Sequence, residues 1–337
     1  MYYVGLDVHR DTSFCVIMDK AGDTIAERNL ENDVLEFANF FAQCDQPMEA
    51  AMEATTDAYF IQALLTELGI SVRLAHPAKL RLIAESSSKT DRSDAHLIAD
   101  MLRMGRLPEA YLAPAEVRQL RELTRGRQSL VRTRTGLKNR VSALLRTYGQ
   151  KCPLKDKFGK AGRAWLESLQ LPTMAAMMLD IYLAVVDVLS AYIAQCDSKL
   201  REISRRDERI RRLQEIPGIA EVFGPMIIAE IGEVSRFWTK RRFVAYCGLA
   251  PIVRQSADKT YIGPLRRDCN HWLRYAFIEA THSCVKAPGR YRDYYQRKAQ
   301  QHNKKVATVA TARRLCRLVF ALLWSGEHYQ SDHAHAA

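Results

Sequence analysis

From Tyr2 to Pro77 the chain alternates short apolar runs with turn residues, and no other feature restricts its fold as much. Tyr2 to Val8 reads as a short buried strand and Ser13 to Asp19 as a second. Ala21-Gly22-Asp23 is turn chemistry leading into a third strand, Thr24 to Leu30. Asp33 to Cys44 then changes to helical spacing, with Val34, Phe37, Ala38 and Phe41 on one face. Pro47 to Thr55 reads as a fourth strand, Asp57 to Leu68 as a helix stopped by Gly69, and Ser71 to His76 as a fifth strand. Pro77 then opens another helix. A three-strand meander followed by strand–helix–strand–helix predicts a mixed α/β domain.

Charge divides the chain at about the same place as pattern. Met1 to Leu112 holds ten Lys and Arg against eighteen Asp and Glu; the rest holds forty against twenty, within a total formal charge of +12. An acidic third joined to a basic remainder suggests concentrated carboxylates on one part and polyanion binding on the other. The eight cysteines, at positions 15, 44, 152, 196, 247, 269, 284 and 316, form no C-x-x-C pair. That excludes a zinc knuckle or thioredoxin motif and fits reduced thiols in a cytoplasm. No basic-then-apolar leader opens the sequence. The longest apolar stretch, Met174 to Ala194, is interrupted by Asp180 and Asp187, so the expectation is a soluble, cytoplasmic protein.

Beyond Pro114 the pattern is helical. Glu116 to Tyr148 predicts one long helix, with Leu120, Leu123, Leu130, Val131, Leu137, Val141, Leu144 and Leu145 near heptad spacing. The same stretch carries Arg118, Arg121, Arg125, Arg127, Arg132, Arg134, Lys138, Arg140 and Arg146, and Glu122 is its only acid after Glu116. So many cations with so few acids suggest phosphate contact. A second helical run, Met174 to Arg206, is expected to pair with the first as an antiparallel hairpin, with Asp156 to Leu171 as a less regular connector. Ile216-Pro217-Gly218-Ile219 before the apolar run Phe223 to Ile231 has the pattern of a helix-hairpin-helix, in which Gly218 would let backbone amides approach a phosphate. The Ser/Asp/His/Ala tail, 326–337, is expected to be disordered.

Four carboxylates stand out. Asp7 lies between Leu6 and Val8 in an apolar strand, where a charge is expensive unless a cation offsets it. Glu53 sits near the end of the fourth strand. Asp91 and Asp94 are three residues apart at a helix start and share a face. The order of elements is that of an RNase H-like domain, and of other mixed α/β folds. In the RNase H-like case the first and fourth strands are neighbours and a late helix crosses both. The four acids could then converge on two ions, and hard oxygen ligands favour magnesium, or manganese, over zinc. Asp91 as a helix cap, Glu53 as a solvent-facing strand residue and Asp94 as a first-turn acid are the plainer alternatives. Ser256 lies in a polar loop with Arg254 and Lys259 beside it, and Arg266 and Arg267 follow, with Tyr261 and Trp272 interleaved; basic and aromatic residues together suit nucleic acid.

Gly5-Leu6-Asp7-Val8-His9, Met52-Glu53-Ala54-Thr55, Lys89-Thr90-Asp91-Arg92-Ser93-Asp94-Ala95, Ile216-Pro217-Gly218-Ile219 and Tyr246-Cys247-Gly248-Leu249-Ala250-Pro251 with Arg254-Gln255-Ser256 occur in that order. In this the chain resembles the DEDD transposases of the insertion-sequence "one-ten" family, which includes the pilin-gene invertase. The resemblance implies a RuvC-like domain over 1–112, a helical coiled-coil connector over 113–209 and a transposase domain over 210–325. It also implies Asp7, Glu53, Asp91 and Asp94 as catalytic metal ligands, Ser256 as nucleophile, and a phosphoserine link to DNA. The partners it implies are target and donor DNA, a structured bridge RNA, and further copies of the chain as dimer or tetramer. A hydrolytic junction resolvase, using the carboxylates and water alone, is the alternative.

Overall fold

The computed structural model describes residues 1–83, 90–256 and 259–330. The chain divides into two compact units, Met1–Ala113 and Pro114–Ala337.

The first unit is a six-stranded sheet with helices on both faces. Its strands are β1 (Tyr2–Val8), β2 (Thr12–Met18), β3 (Thr24–Glu31), β4 (Met48–Glu53), β5 (Ser71–Ala75) and β6 (Glu109–Ala110), in the order β3-β2-β1-β4-β5-β6. The meander β1–β3 is antiparallel, β4 and β5 run parallel to β1, and the short β6 closes the edge antiparallel to β5. The helices are α1 (Val34–Phe41), α2 (Ala58–Glu67), α3 (Pro77–Ile83) and α4 (Asp91–Arg103). Strand alternation sorts them between the two faces. Val4, Leu6 and Val8 of β1 join Phe37, Phe41, Ile61 and Leu65 of α1 and α2 in one core. On the other face Ala51 and Ala75 pack with Leu80, Ile98 and Leu102 of α3 and α4, and Val16 and Met18 pack with Ala95 and Ala99.

The second unit is mostly helical: α5 (Ala115–Thr147), α6 (Lys160–Glu167), α7 (Thr173–Arg206), α8 (Glu208–Gln214), α9 (Phe223–Ile231), α10 (Lys240–Tyr246), α11 (His271–Cys284), α12 (Arg290–Gln301) and α13 (Lys304–Ser325). One antiparallel hairpin, β7 (Pro251–Ser256) with β8 (Lys259–Leu265), is set among them. Long helices α5 and α7 pair antiparallel, as Arg127 meets Asp197 at 2.9 Å and Arg134 donates to Ser190 at 3.1 Å, so that rising numbers on one helix match falling numbers on the other. The core of the unit joins α8, α9, α10, α11 and α13 through residues such as Leu213, Ile227, Phe243, Phe277 and Phe320.

Three expectations change. The connector Asp156 to Leu171 contains the regular helix α6, whose Trp165 and Leu166 pack on the α5–α7 pair. The segment around Ser256, read as a polar loop, is a strand pair in which Ser256 and Lys259 are the last register partners. Of the tail, His328 and Tyr329 are held in place, both bonded to Glu215 at 2.7 and 3.0 Å. The expectation for 331–337 lies outside the described residues, as does Lys89 of the acidic motif.

Helix α7 leaves an apolar stripe exposed: Met174, Met177, Ile181, Val185, Val188 and Tyr192, each three or four residues after the last. By length and composition alone it is also long and apolar enough to cross a membrane.

Candidate active site and nucleic-acid surface

The carboxylate site begins with a glycine. A Cβ on Gly5 would stand 2.1 Å from the backbone oxygen of Ala95 and 2.6 Å from the nitrogen of Ala99, so α4 lies directly on β1 with no side chain between them. Gly5 and Asp7 point to the same side of β1, and Ala51 and Glu53 to the same side of β4. Gly5 is the register partner of Ala51 and Leu6 of Met52; carried one residue further, the register sets Asp7 beside Glu53 on adjacent parallel strands. Asp91 is one helical turn before Ala95, which faces β1 and β2; Asp94 is one turn before Ile98, which packs over β4 and β5. The four acids therefore belong to the α4 face of two neighbouring strands and to the first turn of the helix that crosses them.

Asp7 and Asp91 come together, and they meet at a residue that pattern reading left out. His9 Nε2 lies 3.1 Å from Asp91 Oδ2 and 3.6 Å from Asp7 Oδ2, and one ligand atom from each of the three lies within 4.8 Å of the other two. The side chain of Asp7 is 17% exposed and that of Asp91 62%, so the cluster opens to solvent on the helix side. The signal for His9 was its position two residues beyond Asp7, on the same face of an extended segment. Asp91 is not the helix cap: Thr90 is, accepting from the Ser93 amide at 3.1 Å while the Ser93 hydroxyl accepts from the Thr90 amide at 3.0 Å. Arg92 and His96, one turn apart, both reach Glu27 on β3, at 2.5 and 2.6 Å, and fix the rotation of that first turn. The hydrogen bond from His96 holds the Glu27 carboxyl below its usual value; burial opposes this and Arg92 adds to it.

Two carboxylate oxygens within one ion's coordination distance, one of them half-buried on an apolar strand, form a donor set that fits a hard divalent cation. Glu53 and Asp94, both partly buried beside this pair, could complete the set.

The basic helix α5 is divided in its roles. Arg125 makes a bidentate pair with Glu230 at 2.6 and 2.8 Å, and Glu230 is completely buried. Arg121 donates to the carbonyls of Ala229 and Glu230, Arg127 pairs with Asp197, and Arg134 reaches Ser190. These four guanidiniums tie α5 to α9 and α7. Lys138 lies over the Phe158 ring at 4.8 Å, and Arg132 over Trp272 at 5.0 Å. Arg132, Arg140 and Arg146 are exposed, and Arg118 is partly so.

Gly218 also has a packing role. Its φ is +90°, and a Cβ there would lie 2.2 Å from the Ala280 carbonyl oxygen and 2.9 Å from Cys284 Cβ, so its open side is filled by α11. At the base of the hairpin, Arg274 Nε donates to the Gly248 carbonyl at 3.1 Å and its Nη2 to that of Arg266, while Arg313 Nε donates to Leu249 at 2.7 Å. Both strands that lead to Ser256 and Lys259 are thus anchored by arginines from α11 and α13. Arg254 is exposed on this hairpin, and Arg266 and Arg267 just beyond it.

Residues 4–150 match the model of a DEDD transposase domain, described as a transposase, and residues 210–296 match the model described as a transposase of the IS116/IS110/IS902 family. The two matches define a transposase with a DEDD-type domain. Similar proteins include one named "Probable family 20 transposase" from Pseudomonas aeruginosa, 27% identical over 95% of this chain and 96% of its own length. The transposases for insertion sequence elements IS1328 of Yersinia enterocolitica and IS1111A of Coxiella burnetii are 22% and 23% identical, over 96% and 97% of this chain and 97% and 91% of theirs. This chain belongs to the IS110/IS116 family of transposases, enzymes that cleave and rejoin DNA, and its DEDD-type domain implies use of a divalent metal.

Proposed function

We propose that the chain moves DNA by covalent strand transfer: the first unit is a RuvC-like, RNase H-type domain whose Asp7, Glu53, Asp91 and Asp94 hold magnesium, or manganese, and Ser256 is the nucleophile. The observation that carries this reading is the meeting of Asp7 and Asp91 where β1 and α4 converge, within the segment that matches the DEDD domain. A divalent cation there would stabilise charge on a phosphoryl oxygen and ease deprotonation of a hydroxyl. Ser256 stands at the end of β7 on an anchored hairpin, and Arg254 on the same strand is a cation for charge that builds on the phosphorus centre. Attack by the serine forms a phosphoserine bond and releases the 3′ hydroxyl. That hydroxyl, or another, can later attack the phosphoserine and return the strand without an external energy source.

The family resemblance and the exposed cations Arg132, Arg140 and Arg146 support a guiding bridge RNA beside the target and donor DNA. The α7 stripe supports assembly with further copies of the chain, because three-and-four spacing is that of a helix–helix seam. The exposed Asp180 and Asp187 on the same helix favour a protein neighbour over lipid, in keeping with a cytoplasmic protein at DNA.

Denaturing electrophoresis and mass spectrometry of a trapped reaction test the chemistry. The expected product is DNA linked to Ser256, absent from Ser256→Ala, with Asp7→Asn inactive but folded and still binding DNA. Cleavage without any adduct would replace this mechanism with hydrolysis by the carboxylates and water.

A further inference from the structure

Trp238 and Thr239 immediately precede α10, Lys240, Arg241 and Arg242 begin it, and all five residues are exposed. This segment is held at both ends. Phe237 and Phe243 flank it in the core, their rings meeting edge-on at 5.1 Å. Arg236 lies over the Phe237 and Tyr246 rings at 4.2 and 4.5 Å and donates to the Ile231 carbonyl at 2.9 Å. Thr239 caps α10, accepting from the Arg242 amide. Trp238 is therefore an indole held out on a rigid base, 76% exposed, with the Arg242 guanidinium 5.0 Å from its ring centre.

A tryptophan this exposed forgoes the burial that usually fixes its place, so it calls for an occupant. The charge of the adjoining sequence indicates which kind. No Asp or Glu occurs between Glu233 and Asp258, a stretch that carries Arg236, Lys240, Arg241, Arg242 and Arg254. An apolar protein partner would gain nothing from such a rim, whereas a nucleic acid strand offers both a flat π face and phosphates. Paired bases are already stacked within a duplex, so the base that fits is an unpaired one.

We propose that Trp238 is a stacking platform for an unpaired DNA base, with Lys240, Arg241 and Arg242 holding the phosphates on either side. The proposal rests on the chain acting on DNA and adds to it a site for single-stranded DNA.

The test is titration of the full-length protein with oligothymidine, with an abasic strand of equal length, and with oligouridine, following tryptophan emission. Oligothymidine should quench the emission, the abasic strand should not, and Trp238→Phe should lose the quenching. Trp238→Ala should bind oligothymidine about tenfold more weakly, the scale of one base–aromatic stack, with an unchanged melting temperature because the ring is exposed. Equal quenching by the abasic strand, or a Trp238→Ala affinity within about twofold of the original, would overturn the platform. Tighter binding of oligouridine would overturn its assignment to DNA. Binding is read without any cleavage step, so failure of the platform is distinguishable from failure of strand transfer, which is read from cleavage by the unaltered chain.

Discussion

Replacing Arg125 with methionine separates two roles that the sequence could not distinguish. Glu230 is fully buried and receives three charge-assisted hydrogen bonds, two from Arg125 and one from Asn270 at 2.7 Å. Without the guanidinium the carboxylate keeps only the Asn270 donor. Breaking a buried pair from one side typically costs about 3–5 kcal/mol. The Arg125 side chain is 42% exposed, so water can enter the vacated space, which places the loss at the lower end, about 3 kcal/mol. For a unit of this size each kcal/mol lowers the melting temperature by roughly 2–4 °C, so Arg125→Met should melt about 6–12 °C lower in calorimetry of the full chain. Adding Glu230→Met removes the stranded charge and should recover most of that loss. DNA affinity of the folded protein should keep its salt dependence in Arg125→Met, whereas replacing Arg132, Arg140 and Arg146 should flatten the slope by roughly 0.7–0.9 per lost phosphate contact. A single variant that melts within 2 °C of the original, or a double variant no better than the single, would refute the reasoning.

Two further outcomes follow from the first unit. Gly5→Ala puts a methyl group 2.1 Å from a backbone oxygen, so α4 must lift; strand cleavage should be lost, and thermal melting should show a destabilisation of about 1–3 kcal/mol. An unchanged melting curve would mean that α4 does not rest on β1. Glu27 has a folded-state pKa below its usual 4.5, so its contribution to stability is present above that pH and is lost as pH falls through the lower value. Glu27→Gln should accordingly be less stable than the original at neutral pH, and the two should converge in acid; parallel pH profiles would show that His96 and Arg92 do not grip α4 through this carboxylate.

Much of the first unit was legible because its signals are local. Gly22 and Gly69 punctuate the strands and helices, short apolar runs mark β1, β2 and β4, and Pro77 starts α3 within one turn of β5. The placement of Asp7 and Asp91 on facing elements followed from element order. His9 was missed because a single two-residue step past Asp7, just beyond the end of β1, is too short a signal to mark a ligand, and β6 because two residues have no pattern to read. The hairpin that carries Ser256 resembled a loop because its strands are exposed and mix Arg254, Gln255 and Tyr261 with apolar residues, so no buried face marks them. The partners of the α5 arginines were out of reach for a different reason: Glu230 is 105 residues from Arg125 and Asp197 is 70 from Arg127. No local rule says which cation on a basic helix finds a distant acid.

The pairing changes what the positive charge of the chain can do. An internal ion pair leaves the net charge unaltered, so the basic part attracts a polyanion from a distance as strongly as its sequence charge implies. Close contact is another matter, because a guanidinium already held by a buried carboxylate would have to abandon that carboxylate to grip a phosphate, at a cost of several kcal/mol. The groups whose geometry allows contact at no such cost are the exposed ones: Arg132, Arg140 and Arg146 on α5, Arg254 on the hairpin, Arg266 and Arg267 just after it, and the Lys240–Arg242 run beside Trp238. Steering therefore depends on all the cations of the basic part, and register on this smaller exposed set. Variants of the paired arginines should change stability, and variants of the exposed ones should change affinity and its dependence on salt.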